Sequence, residues 1–142
     1  MSKTKKPGSL IISADGGSRG NPGPAAVGVI LSNDKGERVA EVSRYIGQAT
    51  NNVAEYLAVI YGLSEAMYLG AERVSLNLDS QLVARQLKGQ YRVKDSNIQK
   101  FFDIALNLFR GFDKVEVREV PREENKEADA LVNKALNLRA LI

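Results

Sequence analysis

Apolar residues along the chain follow two spacings, one of about two residues and one of about 3.6, and the switches between them mark the elements. Leu10-Ile-Ile-Ser-Ala14 is a short apolar run bounded by Gly8 and by Asp15-Gly-Gly17, which predicts a buried strand. Gly16 to Pro24 is rich in Gly, Asn and Pro and predicts a tight loop. Ala26 to Leu31 predicts a second strand, Asn33 to Gly36 a turn, and Arg38 to Ile46 a third, alternating strand. Val53, Tyr56, Ile60, Leu63 and Met67 recur at helical spacing, so Asn52 to Leu69 predicts a long helix that stops at Gly70. Arg73 to Leu78 alternates again, with Val74, Leu76 and Leu78 on one face. Ser80 can cap a helix running to about Leu87, and Gly89 to Asp95 is a loop. Ser96-Asn-Ile-Gln99 has capping-box spacing and opens a helix to about Phe109. Val115 and Val117 mark a fifth strand, Pro121 to Asn125 a loop, and Lys126 to Leu138 a last helix.

The order β-β-β-α-β-α-α-β-α predicts an α/β protein with one mixed five-stranded sheet. Three antiparallel strands come first, then two parallel-connected strands, with helices on both faces. Residues 9–142 are expected to form a single domain, and residues 1–8 a disordered basic tail without the apolar segment of a signal peptide. No run of about 18 apolar residues exists, so no membrane span is expected and a cytoplasmic placement is the default. The chain has 142 residues, enough for one self-sufficient core.

Composition changes the picture through what it lacks. There is no Cys and no His. Disulfides, thiolate zinc sites, Cys nucleophiles, Ser-His-Asp triads and imidazole bases are therefore excluded. Any metal must sit among oxygen ligands, which favours Mg²⁺ or Mn²⁺ over Zn²⁺. The net charge of +3 is compatible with a polyanionic partner without demanding one.

The acids carry the chemistry. Asp15 ends the first apolar strand and Asp79 the fourth, each followed by Gly or Ser. If those strands run parallel as neighbours, the carboxylates lie side by side where ligands of open α/β sheets bind. Two close carboxylates repel unless a cation sits between them. Glu55 falls in the first turn of the long helix, and Asp129 in the first turn of the last, at the edge of the face formed by Ala128, Leu131, Val132 and Ala135. Each acid alone has an ordinary structural reading: turn residue, capping-box partner of Asn52, or complement to a helix dipole. Four acids at element ends outweigh those readings jointly.

These residues sit in four motifs: Asp15-Gly-Gly-Ser-Arg-Gly-Asn-Pro-Gly-Pro-Ala25, Thr50-Asn-Asn-Val-Ala-Glu55-Tyr, Leu78-Asp79-Ser-Gln81 and Asn125-Lys-Glu-Ala-Asp129-Ala-Leu131. Together, and in this order, they resemble the signature of the type 1 ribonuclease H family, over roughly Ser9 to Leu138. The resemblance implies a ribonuclease H-like fold and an endonuclease that cuts the RNA strand of RNA–DNA hybrids, leaving 5′-phosphate and 3′-hydroxyl ends. It implies that Asp15, Glu55, Asp79 and Asp129 are catalytic and hold two Mg²⁺ ions, with Mn²⁺ as the substitute. It also implies that Gly16, Glu55 and Gln81 contact RNA, and that Asn21, Thr50, Asn51 and Asn52 contact backbone or minor-groove edges. Helix capping is an equal reading for the asparagines of the second motif, and turn formation for Asn21. A monomer is expected.

The chain departs from the family's pattern in three places. Many members carry a His before the last helix, where this chain has Pro121-Arg-Glu-Glu-Asn125. Many carry a basic helical protrusion, for which Lys88-Gly-Gln-Tyr-Arg-Val-Lys94 is too short. Gln48 stands where some members have an Arg near the DNA-strand phosphate. Slower turnover, weaker binding and looser selectivity are the expectations. Three readings remain beside the hybrid nuclease: a broader ribonuclease that also cuts double-stranded RNA, a non-catalytic nucleic-acid-binding module, and a transposase- or resolvase-type nuclease of the same superfold.

Overall fold

The computed structural model describes residues 8–142. The basic tail expected over residues 1–8 lies outside the described residues except for Gly8, whose carbonyl accepts from the backbone N–H groups of Glu72 and Arg73. Five strands form one sheet: β1 (Ser9–Ser18), β2 (Gly23–Ser32), β3 (Arg38–Ala49), β4 (Arg73–Leu78) and β5 (Lys114–Glu119), in the spatial order β3-β2-β1-β4-β5. The β1–β2 and β2–β3 pairs are antiparallel; β1–β4 and β4–β5 are parallel. The helices are α1 (Asn51–Tyr68), α2 (Gln81–Leu87), α3 (Ser96–Phe109) and α4 (Lys126–Ala140), with a 3₁₀ turn at Arg122–Asn125. The order and the sheet are those the sequence predicts.

The two faces of the sheet are filled differently. Leu10, Ile12 and Ala14 of β1 share one core with Val27, Val29 and Leu31 of β2, with α1, and with Val83, Leu87, Ile98 and Ala105 from α2 and α3. On the opposite face α4 packs Val132, Ala135 and Leu136 against Ala26. Helices on both sides explain why β2 is buried continuously from Ala25 to Leu31, without alternation.

Close approach decides two of these contacts. A Cβ at Gly28 would stand 2.1 Å from the Ala128 carbonyl oxygen, so α4 lies directly on the backbone of β2. A Cβ at Gly16 would stand 2.1 Å from the Ala54 carbonyl oxygen, so the start of α1 lies directly on β1.

Four local expectations are corrected. The first strand does not stop at Asp15: β1 continues to Ser18, paired with β2 from Asp15↔Gly28 to Ser18↔Ala25, and only 19–22 form the loop. The glycines at 16 and 17 extend a strand instead of turning it. Helix α1 is capped by the Thr50 hydroxyl, which accepts from the Val53 N–H at 3.2 Å, so Glu55 lies beyond the first turn rather than in it. Helix α3 is capped by Asp95, which accepts from Asn97 and Ile98 at 2.8 and 3.1 Å; the Ser96/Gln99 capping box does not form. Along α1 the buried residues include Ala54, Ala58, Gly62 and Ala66, while Met67 is exposed. A helix this close to a sheet presents its small residues, and a search for large apolar ones misses them.

Candidate active site

The parallel β1–β4 ladder ends at Ala14↔Leu78. The residue after each is an Asp, so Asp15 and Asp79 leave the ladder together. Glu55 reaches the same place from α1, held close by the Gly16–Ala54 contact, and Asp129 comes from the start of α4, held by the Gly28–Ala128 contact. All four line one cleft of about 490 Å³, with Gly16, Asn51, Ser80, Asn133, Arg19 and Arg122 among its other walls.

The electrostatics record the crowding. Burial, then the charges of Asp79, Asp129 and Glu55, push the Asp15 carboxyl up to about 8; a hydrogen bond shared with Asp129 acts in the same sense. Burial pushes Glu55 up to about 7, helped by Asp79 and opposed by a hydrogen bond from Ser80. Burial also raises Asp79, opposed by the Arg122 charge and by a hydrogen bond from Asn125. Asn125 itself is buried and donates its Nδ2 to the Ala14 carbonyl at 2.9 Å, which ties the start of the last helix to β1 where its ladder with β4 ends.

Among the described residues no three acids close around a single point as their side chains stand. The four share a cleft and repel one another without forming a finished cage. An all-oxygen, four-carboxylate donor set of this kind suits a hard divalent cation, whose charge would relieve the repulsion.

The other expected contact residues divide between two places and the open surface. Gly16 and Asn51 line the main cleft. Asn21, Thr50 and Asn52 line a second cleft of about 250 Å³, with Asp95 and Asn97 opposite. Asn51 also braces the site: its Oδ1 accepts from the Ser18 N–H at 2.9 Å, and its own N–H donates to Asn21 Oδ1 at 3.0 Å. Gln81 lines neither and is exposed at the start of α2.

The structure adds residues to the cleft that motif reading passes over. Arg19 donates to Asn137 Oδ1 at 2.6 Å and to Asn133 Oδ1 at 3.4 Å, and Asn133 Nδ2 donates to the Asp129 carbonyl at 3.2 Å. Asn133 follows Asp129 by one helical turn, a spacing that could have flagged it. Arg19 stands inside the first motif, but nothing local marks its contacts, because its partners lie more than a hundred residues away.

Residues 13–135 match the family model described as "Reverse transcriptase-like". The crystal structure of RNase H1 from the halophilic archaeon Halobacterium salinarum superposes with a TM-score of 0.90 at 45% identity, covering 92% of this chain and 98% of that one. The chain belongs to the type 1 ribonuclease H family. LC11-RNase H1, isolated from compost by a metagenomic approach and crystallised in complex with an RNA/DNA hybrid, superposes with a TM-score of 0.88 at 39% identity, covering 94% of this chain and 99% of that one. The curated Ribonuclease HI of Halobacterium salinarum is 47% identical over 123 residues, 87% of this chain and 62% of the relative. Other curated relatives, from mycobacteria, are matched over 36% of their length, so the chain spans roughly one to two thirds of these proteins.

Proposed function

We propose that this type 1 ribonuclease H is an endonuclease that hydrolyses the RNA strand of RNA–DNA hybrids and depends on divalent cations. The observation that supports it is the cleft in which Asp15, Glu55, Asp79 and Asp129 face one another in a chain without His or Cys. In this reading the four carboxylates hold two Mg²⁺ ions, with Mn²⁺ as the alternative. When bound, these supply Lewis acidity for in-line attack of water at phosphorus and for departure of the 3′ oxygen, leaving 5′-phosphate and 3′-hydroxyl ends. The chain's own groups orient and hold. Asn125 and Arg122 set Asp79, Ser80 sets Glu55, and Asn133 steadies the backbone of Asp129. Arg19 and Arg122, both lining the acidic cleft, offset its repulsion of a polyanion. Asn21, Thr50, Asn51, Asn52, Gly16 and Gln81 contact the hybrid, whose 2′-hydroxyls distinguish its RNA strand. A cytoplasmic monomer completes the reading.

The test is cleavage of a labelled RNA–DNA hybrid, matched double-stranded RNA and matched DNA, in Mg²⁺, in Mn²⁺ and in chelator, with Asp79→Asn alongside. Only the RNA strand of the hybrid should be cut, with chelator abolishing it and Asp79→Asn lowering kcat by at least about 100-fold. Cleavage of double-stranded RNA at a similar rate would establish the broader ribonuclease instead. Binding without cleavage in either metal would sink the catalytic reading.

A further inference from the structure

The Arg85 side chain has three side-chain partners. Its Nε pairs with Glu119 Oε1 at 3.2 Å, at the end of β5. Its Nη1 donates to the Tyr91 hydroxyl at 2.9 Å, and the guanidinium carbon stands 5.5 Å from the centre of the Tyr91 ring. Its backbone carbonyl accepts from Gln90 and Tyr91 at 2.8 and 3.1 Å, so the residue fixes the short loop after α2 from both ends. The remaining direction faces Gln81, one helical turn earlier. With the amide oriented so that donor does not meet donor, Gln81 Oε1 accepts from Nη2 at 2.8 Å and from Nη1 at 3.1 Å.

That orientation has a chemical consequence. A free glutamine amide can present either its carbonyl or its NH₂ to a ligand. A guanidinium has donors only, so it captures the carbonyl and leaves both amide N–H donors for whatever docks beside the cleft. Purine N3 and pyrimidine O2, the edges common to every base pair in a minor groove, are acceptors. Donors held out there read the groove without reading its sequence.

We propose that Arg85 is a positioning residue that locks the Gln81 amide with its N–H donors toward the minor groove of the bound duplex. This rests on the hybrid-nuclease reading above, in which Gln81 contacts the hybrid. Arg85 itself is assigned no phosphate contact, because four of its five N–H donors are engaged by Gln81, Glu119 and Tyr91. Lysine could not replace it: a single ammonium lacks the fork that serves all three.

Binding of a fluorescent RNA–DNA hybrid is measured across salt concentrations in the Asp79→Asn background, which keeps the substrate whole, and cleavage by the unsubstituted protein is measured separately. Arg85→Met keeps the stem over Tyr91 and should weaken binding about fivefold, the size of one hydrogen bond. The slope of log Kd against log salt should not change, and in a Gln81→Ala background the same substitution should cost less than about twofold. Gln81→Glu, at an exposed position that does not threaten folding, keeps the Arg85 pairing but has no donor, and should bind at least as weakly as Gln81→Ala. The proposal is overturned if Arg85→Met lowers the salt slope by about one, which marks a phosphate contact. It is equally overturned by an undiminished effect without Gln81, or by normal binding of Gln81→Glu. Hybrid binding without cleavage by the unsubstituted protein removes the nuclease reading alone; no binding of the hybrid removes both.

Discussion

Tyr56 shows how one side chain beside the cleft serves stability. It follows Glu55 in α1, is fully buried, and donates its hydroxyl to Gln86 Oε1 at 2.6 Å. Gln86 is itself buried in α2, so the pair joins two helices through a bond neither partner can replace with water. Tyr56→Phe keeps the ring and removes the donor, leaving a buried amide oxygen unpaired. We expect a loss of about 1–3 kcal/mol in urea unfolding at unchanged m. An unchanged midpoint would mean that Gln86 finds another donor. The motif containing Tyr56 was legible in the sequence, but Gln86 was not: nothing local distinguishes a glutamine that meets a tyrosine thirty residues away from one in solvent.

At the scale of elements, the acids owe their convergence to backbones that touch. Gly16 lets α1 approach β1, and Gly28 lets α4 approach β2. Gly28→Ala would drive a methyl into the Ala128 carbonyl oxygen, which is backbone and cannot swing aside, so α4 must lift and carry Asp129 with it. Destabilisation of about 1–3 kcal/mol is expected from the overpacking alone. Activity should fall further than stability explains, because a small misplacement of a reacting group costs about 100-fold. Calorimetry and kcat on the same variant separate the two effects, and a variant with normal kcat would break the link between this contact and the site. Periodicity located both helices, since polarity along a helix reports which face is buried. It says nothing about how near that face comes to its partner. The Ala54-Ala58-Gly62-Ala66 face of α1 and the extension of β1 through Gly17 therefore appear only in the fold. The same holds for the caps: Thr50 and Asp95 displaced the predicted Asn52 and Ser96 boxes, because whichever residue leaves the helix with extended backbone makes the bond.

For the whole molecule, the raised carboxyls of Asp15 and Glu55 couple folding to pH and, on the function proposed above, to cation binding. Both sit above their ordinary values, at about 8 and about 7. Between the ordinary carboxylate range and those values the folded protein holds more protons than the unfolded chain. Metal-free stability should therefore be greatest at the acid side of that window and fall as pH rises through 7 and toward 8. A divalent cation held by the ionised carboxylates, as in the function proposed above, would oppose the fall and release protons as it bound. A fixed concentration of Mg²⁺ should accordingly raise Tm more at about pH 8.5 than at about pH 5.5, and the metal-free Tm should drop between them. Equal shifts at both pH values would detach cation binding from these two acids.

Sequence by itself determined the order of the elements, the placement of an acid at or near the end of each site-forming element, and the limit to oxygen ligands. These are local facts, written in periodicity, punctuation and the absence of His and Cys. Tertiary structure alone decided that Ala14 pairs with Leu78, that Asn51 rather than Gln81 walls the main cleft, and that Arg19, Asn125 and Asn133 brace it. Each depends on strand register or on the approach of two backbones distant in the chain. Such distances follow from packing of the whole core, and no segment read alone contains them.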